Sequence, residues 1–184
     1  MPTRLYSYSL MKIMTVGMFL FIAFSCKTKQ SALAQSKVTI SGTVTQTSSY
    51  CGGAQPTDEL ITELQTPRIF PGKKMHVIKG DTNTAKREIV LDFITDEKGT
   101  FSFQLAPGTY SILLDEQILK PNARQYETKD ILVDEKCYNE WWGKPYYVLH
   151  ISSAPITNLS FNFQRPCFID YDIPCLRYNG VMPP

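Results

Sequence analysis

Hydrophobic and polar residues alternate along much of this chain with the period of two that places one face of a strand against a core. The clearest case is Thr95 to Leu114, TDEKGTFSFQLAPGTYSILL. Phe101, Phe103 and Leu105 alternate with Thr100, Ser102 and Gln104, and Tyr110, Ile112 and Leu114 resume the pattern after Pro107-Gly108. Asp96 to Gly99 supplies one turn and the Pro-Gly pair another, so the stretch reads as a hairpin of two half-buried strands.

Further strands are expected on either side. KVTISGTVTQT (37–47) is rich in β-branched residues, and Gly42 inside it predicts a bulge or the close approach of a neighbour. KMHVIKG (74–80) and REIVLDFIT (87–95) follow, and the apolar run Ile89-Val90-Leu91 predicts burial on both faces. YYVLHIS (146–152) and TNLSFNFQ (157–164) close the series, with Leu159, Phe161 and Phe163 alternating against Asn158, Ser160 and Asn162. Two short helices interrupt the strands. One starts near Thr57-Asp58-Glu59 and stops at Pro67, and the other covers DEKCYNEWW (134–142) before Gly143. The fold class is therefore all-β with minor α, an antiparallel β-sandwich. It carries a short helical insertion between Cys51 and Pro71, and an aperiodic, Pro- and Tyr-rich C-terminal wrap from residue 166 to 184.

The N-terminus has a different pattern. Arg4 and Lys12 precede an apolar run, IMTVGMFLFIAFS, that is shorter than the roughly 20 residues of a membrane span. It has the length of a signal-peptide core, and MKIMTVGMFLFIAFSC from Met11 is by itself a complete signal. Ala23-Phe24-Ser25-Cys26 resembles the lipobox of bacterial lipoproteins. The resemblance implies cleavage before Cys26, acylation of that cysteine, and a membrane anchor in the cell envelope. Three acyl chains hold such a protein on the bilayer, where one would not. Lys27 after the lipid-bearing position, with no acidic cluster following, favours the outer membrane, facing the periplasm or the cell surface. Residues 1–25 are then the signal, 26–36 a small, polar tether, and 37–165 the sandwich.

Charge follows from this boundary. The whole chain carries 19 basic and 17 acidic side chains, a formal charge of +2. Loss of Arg4 and Lys12 brings it to zero, so no global field attracts nucleic acid. Five cysteines are present. With Cys26 taken by lipid, Cys51, Cys137, Cys167 and Cys175 form an even set that predicts two disulfides in an exported protein. Pairing is open at this stage: Cys167 and Cys175 can close a small loop, or Cys51 can tie to the C-terminal region. No metal site and no cofactor are expected. Ligand spacing such as CxxC is absent, and His76 and His150 stand alone, His76 reading as a half-exposed strand residue.

The run Gly99-x-Phe101-x-Phe103-x-Leu105-x-Pro107-Gly108-x-Tyr110, together with Ile40-Ser-Gly-Thr-Val44 and Pro71-Gly72-Lys-Lys-Met-His-Val77, resembles the carboxypeptidase regulatory-like domain, a prealbumin-like (transthyretin-like) sandwich. The similarity covers Val38 to Asp115 and implies a structural or binding module rather than an enzyme. Function is read from sites, not folds, and three readings compete. In the first, Trp141, Trp142, Tyr146 and Tyr147 form an aromatic platform that contacts an envelope glycan or protein. Core packing of the same rings is the alternative. In the second, the chain is a small hydrolase. Transthyretin-like hydrolases of hydroxyisourate use a C-terminal Tyr-Arg-Gly-Ser, whereas this tail has Arg177-Tyr178-Asn179-Gly180, and no G-x-S-x-G elbow accompanies His150. In the third, an adhesin-type isopeptide crosslink joins Lys37 to Asn158 or Asn162.

Overall fold

The computed structural model describes residues 36–181. The signal, Cys26 and most of the tether lie outside the described residues. Two sheets face one another. In the first, β1 (Val38–Ser48) is central. The first half of one edge pairs antiparallel with β5 (Thr100–Leu105), and β2 (Arg68–Ile69) pairs with Thr45 and Gln46 further along. The opposite edge pairs with β9 (Ile156–Arg165), in parallel, from Gly42↔Leu159 to Ser48↔Arg165. That pair is the exception in a fold whose other ladders are antiparallel. The second sheet runs β4 (Ile89–Ile94), β3 (Lys74–Lys79), β6 (Gly108–Leu114), β8 (Tyr147–Ile151).

The alternating positions supply the core between the sheets. Ile40, Val44, Phe101, Leu105 and Phe161 come from the first sheet, and Met75, Val77, Ile112, Leu114 and Leu149 from the second. Phe93 of β4 crosses the gap to Phe101 and Phe103, with ring centroids 4.9 and 5.0 Å apart. Removing these side chains from water is the main term favouring the fold. Gly42 is required by sterics: a Cβ there would lie 2.2 Å from the Leu159 carbonyl oxygen. The register of β1 against β9 shifts beside it, between Ile40 and Gly42, as the sequence predicts.

Two expectations change. Strands β5 and β6 are not a hairpin. They belong to different sheets, so Pro107-Gly108 carries the chain across the sandwich, as does the Asp96–Gly99 turn between β4 and β5. In that turn Asp96 accepts hydrogen bonds from the Lys98 and Thr100 amides at 2.9 and 2.7 Å. Gly99 takes φ +70°, open to glycine at little cost. Secondly, Ile89 and Val90 are not buried on both faces. β4 is an edge strand whose outer side is uncovered, leaving them 45% and 39% exposed.

The helices form where capping residues start them. Thr57 caps α1 (Asp58–Gln65), its hydroxyl accepting from the Leu60 amide. Asp134 caps α2 (Glu135–Gly143) and accepts from the Cys137 amide at 2.9 Å. No helix among the described residues is long and apolar enough to cross a membrane.

Candidate functional site

The C-terminal wrap builds the most elaborate site. Cys51 bonds to Cys167, and Cys137 on α2 bonds to Cys175. The small Cys167–Cys175 loop is therefore not formed. Between these bonds the tail packs inward, with Ile169, Ile173 and Leu176 buried against Tyr126, Tyr138 and Trp142 in a second core. A short strand, β10 (Leu176–Tyr178), pairs antiparallel with β7 (Ile131–Val133) and fixes the end of the wrap.

Where the wrap meets the sandwich it leaves a cleft of about 580 Å³. Trp141, Tyr146, Phe163 and Tyr171 supply its rings, and Ser49, Asn162, Gln164 and Asp172 its polar groups. The four aromatics expected at a platform divide. Trp141, at the end of α2, packs against both cores and faces the cleft. Tyr146 lies over Phe163, ring centroids 5.0 Å apart and 12° from parallel. Burial, and then the Asp172 carboxylate, pushes its phenol above the usual tyrosine range. Trp142 is a core residue, its indole N–H donating to the Leu119 carbonyl at 2.8 Å. Tyr147 is 42% exposed, meets Phe161 edge-on and lies outside the cleft.

Two buried amides, missed in the sequence, position Trp141. Gln117 is fully buried in a single 3₁₀ turn (Asp115–Gln117) after β6. Its Nε2 donates to the carbonyls of Trp141 and Lys144 at 3.0 and 2.8 Å, while its Oε1 accepts from the Leu114 amide at 3.1 Å. Asn83 donates to the Trp142 carbonyl at 2.7 Å and to that of Gln117 at 3.1 Å. Together they satisfy carbonyls that the end of α2 would otherwise leave open. The available signal is weak: each is a polar residue just past a strand, and the α2 carbonyls it holds lie at least 24 residues away in sequence.

His76 departs most from expectation. It is buried, not half-exposed, because β3 is a central strand covered on both faces. Its Nδ1 lies 2.7 Å from Asp92 on β4 and its Nε2 lies 2.8 Å from Asp115 at the end of β6. Lys74 joins Asp115 at 3.0 Å. Burial acts to raise the Asp115 carboxyl, but the hydrogen bonds and charges of Lys74 and His76 outweigh it and hold the group below the usual carboxylate range. Both imidazole nitrogens are engaged by carboxylates, which leaves neither to activate a hydroxyl. His150 is on the surface, 3.5 Å from the Thr109 hydroxyl.

The residues expected at an isopeptide bond lie at the surface. Lys37, Asn158 and Asn162 are exposed, and Asn162 exchanges hydrogen bonds with the hydroxyls of Thr45 and Thr47. Among the described residues the buried lysine is Lys73, whose ammonium meets Asp172 of the wrap.

No family model matches the chain, and none of the curated proteins matches it. Among solved structures it is similar to the Bacillus anthracis TIE protein, at 14% identity and TM-score 0.34, over 70% of this chain and 17% of that one. It is similar also to the N-terminal domain of the shaft pilin spaA from Lactobacillus rhamnosus GG, at 9% identity and TM-score 0.32, over 69% of this chain and 92% of that one. The major plantain pollen allergen Pla l 1 aligns at 13% identity and TM-score 0.26, over 69% and 94%. Similarity at this level carries no functional argument. The fold class rests on this chain's own strand pairing: an all-β sandwich with two short helices, its C-terminal wrap tied by disulfides.

Proposed function

We propose that the protein is a non-enzymatic cell-envelope lipoprotein, held on the outer membrane by lipid on Cys26, whose sandwich is a binding module for an envelope glycan. The observation that carries this reading is the cleft walled by Trp141 and Tyr146 and closed by the disulfide-bonded wrap. Sugar rings present apolar faces to aromatic planes and hydroxyls to amides and carboxylates. Asn162, Gln164 and Ser49 supply such groups at the rim. A site held by two disulfides is pre-organised, which lowers the ordering cost of binding. The disulfides also support an oxidising compartment outside the cytoplasm.

The test is titration of envelope oligosaccharides against intrinsic tryptophan fluorescence, with calorimetry for affinity. Trp141→Ala or Tyr146→Ala is expected to weaken binding roughly tenfold. Tyr147→Ala, an exposed aromatic outside the cleft, is expected to leave it unchanged. Binding that survives both cleft substitutions removes the site. Failure of every envelope glycan to bind removes the ligand class.

A further inference from the structure

The side chain of Lys73 is 10% exposed, a rare place for an ammonium group. Its paired carboxylate is Asp172, and the ring of Phe163 lies 4.8 Å from its nitrogen and that of Phe70 5.8 Å away. Both partners are fixed. The Lys73 amide donates to the Thr95 hydroxyl at 2.9 Å and its carbonyl accepts from the Thr95 amide at 3.1 Å. Asp172 sits in the wrap between the disulfides at Cys167 and Cys175. A second acid touches the backbone of Asp172. Glu116 Oε1 accepts from the Asp172 amide at 3.4 Å, and its Oε2 is buried without a hydrogen-bond partner. A buried, unsatisfied carboxyl oxygen in a folded protein calls for a role.

We propose that Lys73 and Asp172 condense into an intramolecular amide, with Glu116 carrying the protons. The ammonium of Lys73 gives up one proton, which reaches the Asp172 carboxylate through Glu116. This leaves a neutral amine beside a neutral acid. The amine nitrogen attacks the Asp172 carbonyl carbon and a C–N bond forms. Glu116 then takes a proton from that nitrogen and delivers it to the departing hydroxyl, so the C–O bond breaks and water leaves. One ammonium and one carboxylate become one amide and one water. No electrons are transferred, no other reagent is consumed, and Glu116 ends as it began. Fixed geometry supplies the drive, since well-oriented groups react with effective molarities of about 10⁵ M or more. The bond joins the residue just before β3 to the wrap and clamps the wall of the cleft that Asp172 lines.

Peptide mass mapping of the full chain, unfolded and reduced, tests this, and acylation at Cys26 does not affect the peptides concerned. The expected result is a branched peptide containing Lys73 and Asp172, lighter by roughly 18 Da (one water) than its two linear parts, with no tryptic cut after Lys73. Lys73→Arg and Asp172→Ala are expected to abolish it. Asp172→Asn is expected to keep it with a deficit of about 17 Da, because ammonia leaves in place of water. Glu116→Gln is expected to leave the pair unjoined in protein that still forms both disulfides. Wild-type protein with both disulfides formed and Lys73 in an ordinary linear peptide overturns the proposal, whatever the variants do. Glycan binding reads out separately, so the two proposals fail independently.

Discussion

Replacing Gln117 by leucine tests whether one buried amide sets the end of α2 and with it Trp141. The substitution nearly conserves volume and removes both polar atoms. Leu114 lies beyond the last β6–β8 partner pair, Ile112↔Tyr147, so its amide relies on Gln117 Oε1. The Lys144 carbonyl relies on Gln117 Nε2. The Trp141 carbonyl still accepts from the Lys144 amide at 3.1 Å, so two groups rather than three are stripped. Each buried, unpaired backbone group costs about 1–3 kcal/mol, which puts the loss at about 4 kcal/mol. In urea, with a slope of about 2 kcal/mol/M for a domain of this size, the midpoint should fall by roughly 2 M. Near-UV circular dichroism of the still-folded variant should change as well, since Trp141 follows the helix end. Gln117→Glu should be worse: it restores an acceptor for Leu114 but turns a carboxylate oxygen towards two carbonyls. A loss under about 1 kcal/mol for Gln117→Leu, with an unchanged near-UV spectrum, refutes the reasoning.

Two further outcomes follow from the fold. Asp115 has a lowered folded-state pKa, so the unfolded chain takes up its proton at higher pH than the folded one. Its contribution is present above the ordinary carboxylate value and lost as pH falls through the lowered value. Asp115→Asn should therefore be less stable at neutral pH but show a flatter acid limb below about pH 4 in pH-resolved urea titrations; parallel curves count against the Lys74–Asp115–His76 network. Gly42→Ala should cost about 3 kcal/mol, because its methyl collides with the backbone of β9 rather than with a movable side chain. A neutral result in thermal unfolding would show that the β1–β9 register relaxes.

What could be read in advance was local. Alternation located the strands, capping residues located both helices, and Gly42 marked a close approach. Period-two patterning is the same whether the next strand pairs alongside or crosses to the facing sheet, so Pro107-Gly108 read as a hairpin turn. The apolar run Ile89-Val90-Leu91 looked central because pattern reports composition, while edge position depends on which strands find β3 first. His76 was misjudged for a related reason: Asp92 and Asp115 reach it only through β-pairing. The cleft was half legible. Trp141 and Tyr146 stood out as aromatics, but Tyr171 and Asp172 lie in a segment without periodicity, placed by Cys51–Cys167 and Cys137–Cys175 rather than by any repeat.

The parallel β1–β9 pair ends at Ser48↔Arg165, and the Cys51–Cys167 bond follows just beyond it. Consider a pull applied between the tether side of β1 and the tail beyond Cys167. It runs along β1, through the sulfur bridge and out, bypassing every residue from 52 to 166. The second sheet and β9 then carry no load, and β1, already extended, has no slack to give up. With the lipid anchor proposed at Cys26, this would make the sandwich nearly inextensible: tension passes along one strand and a covalent bridge while the cleft keeps its shape.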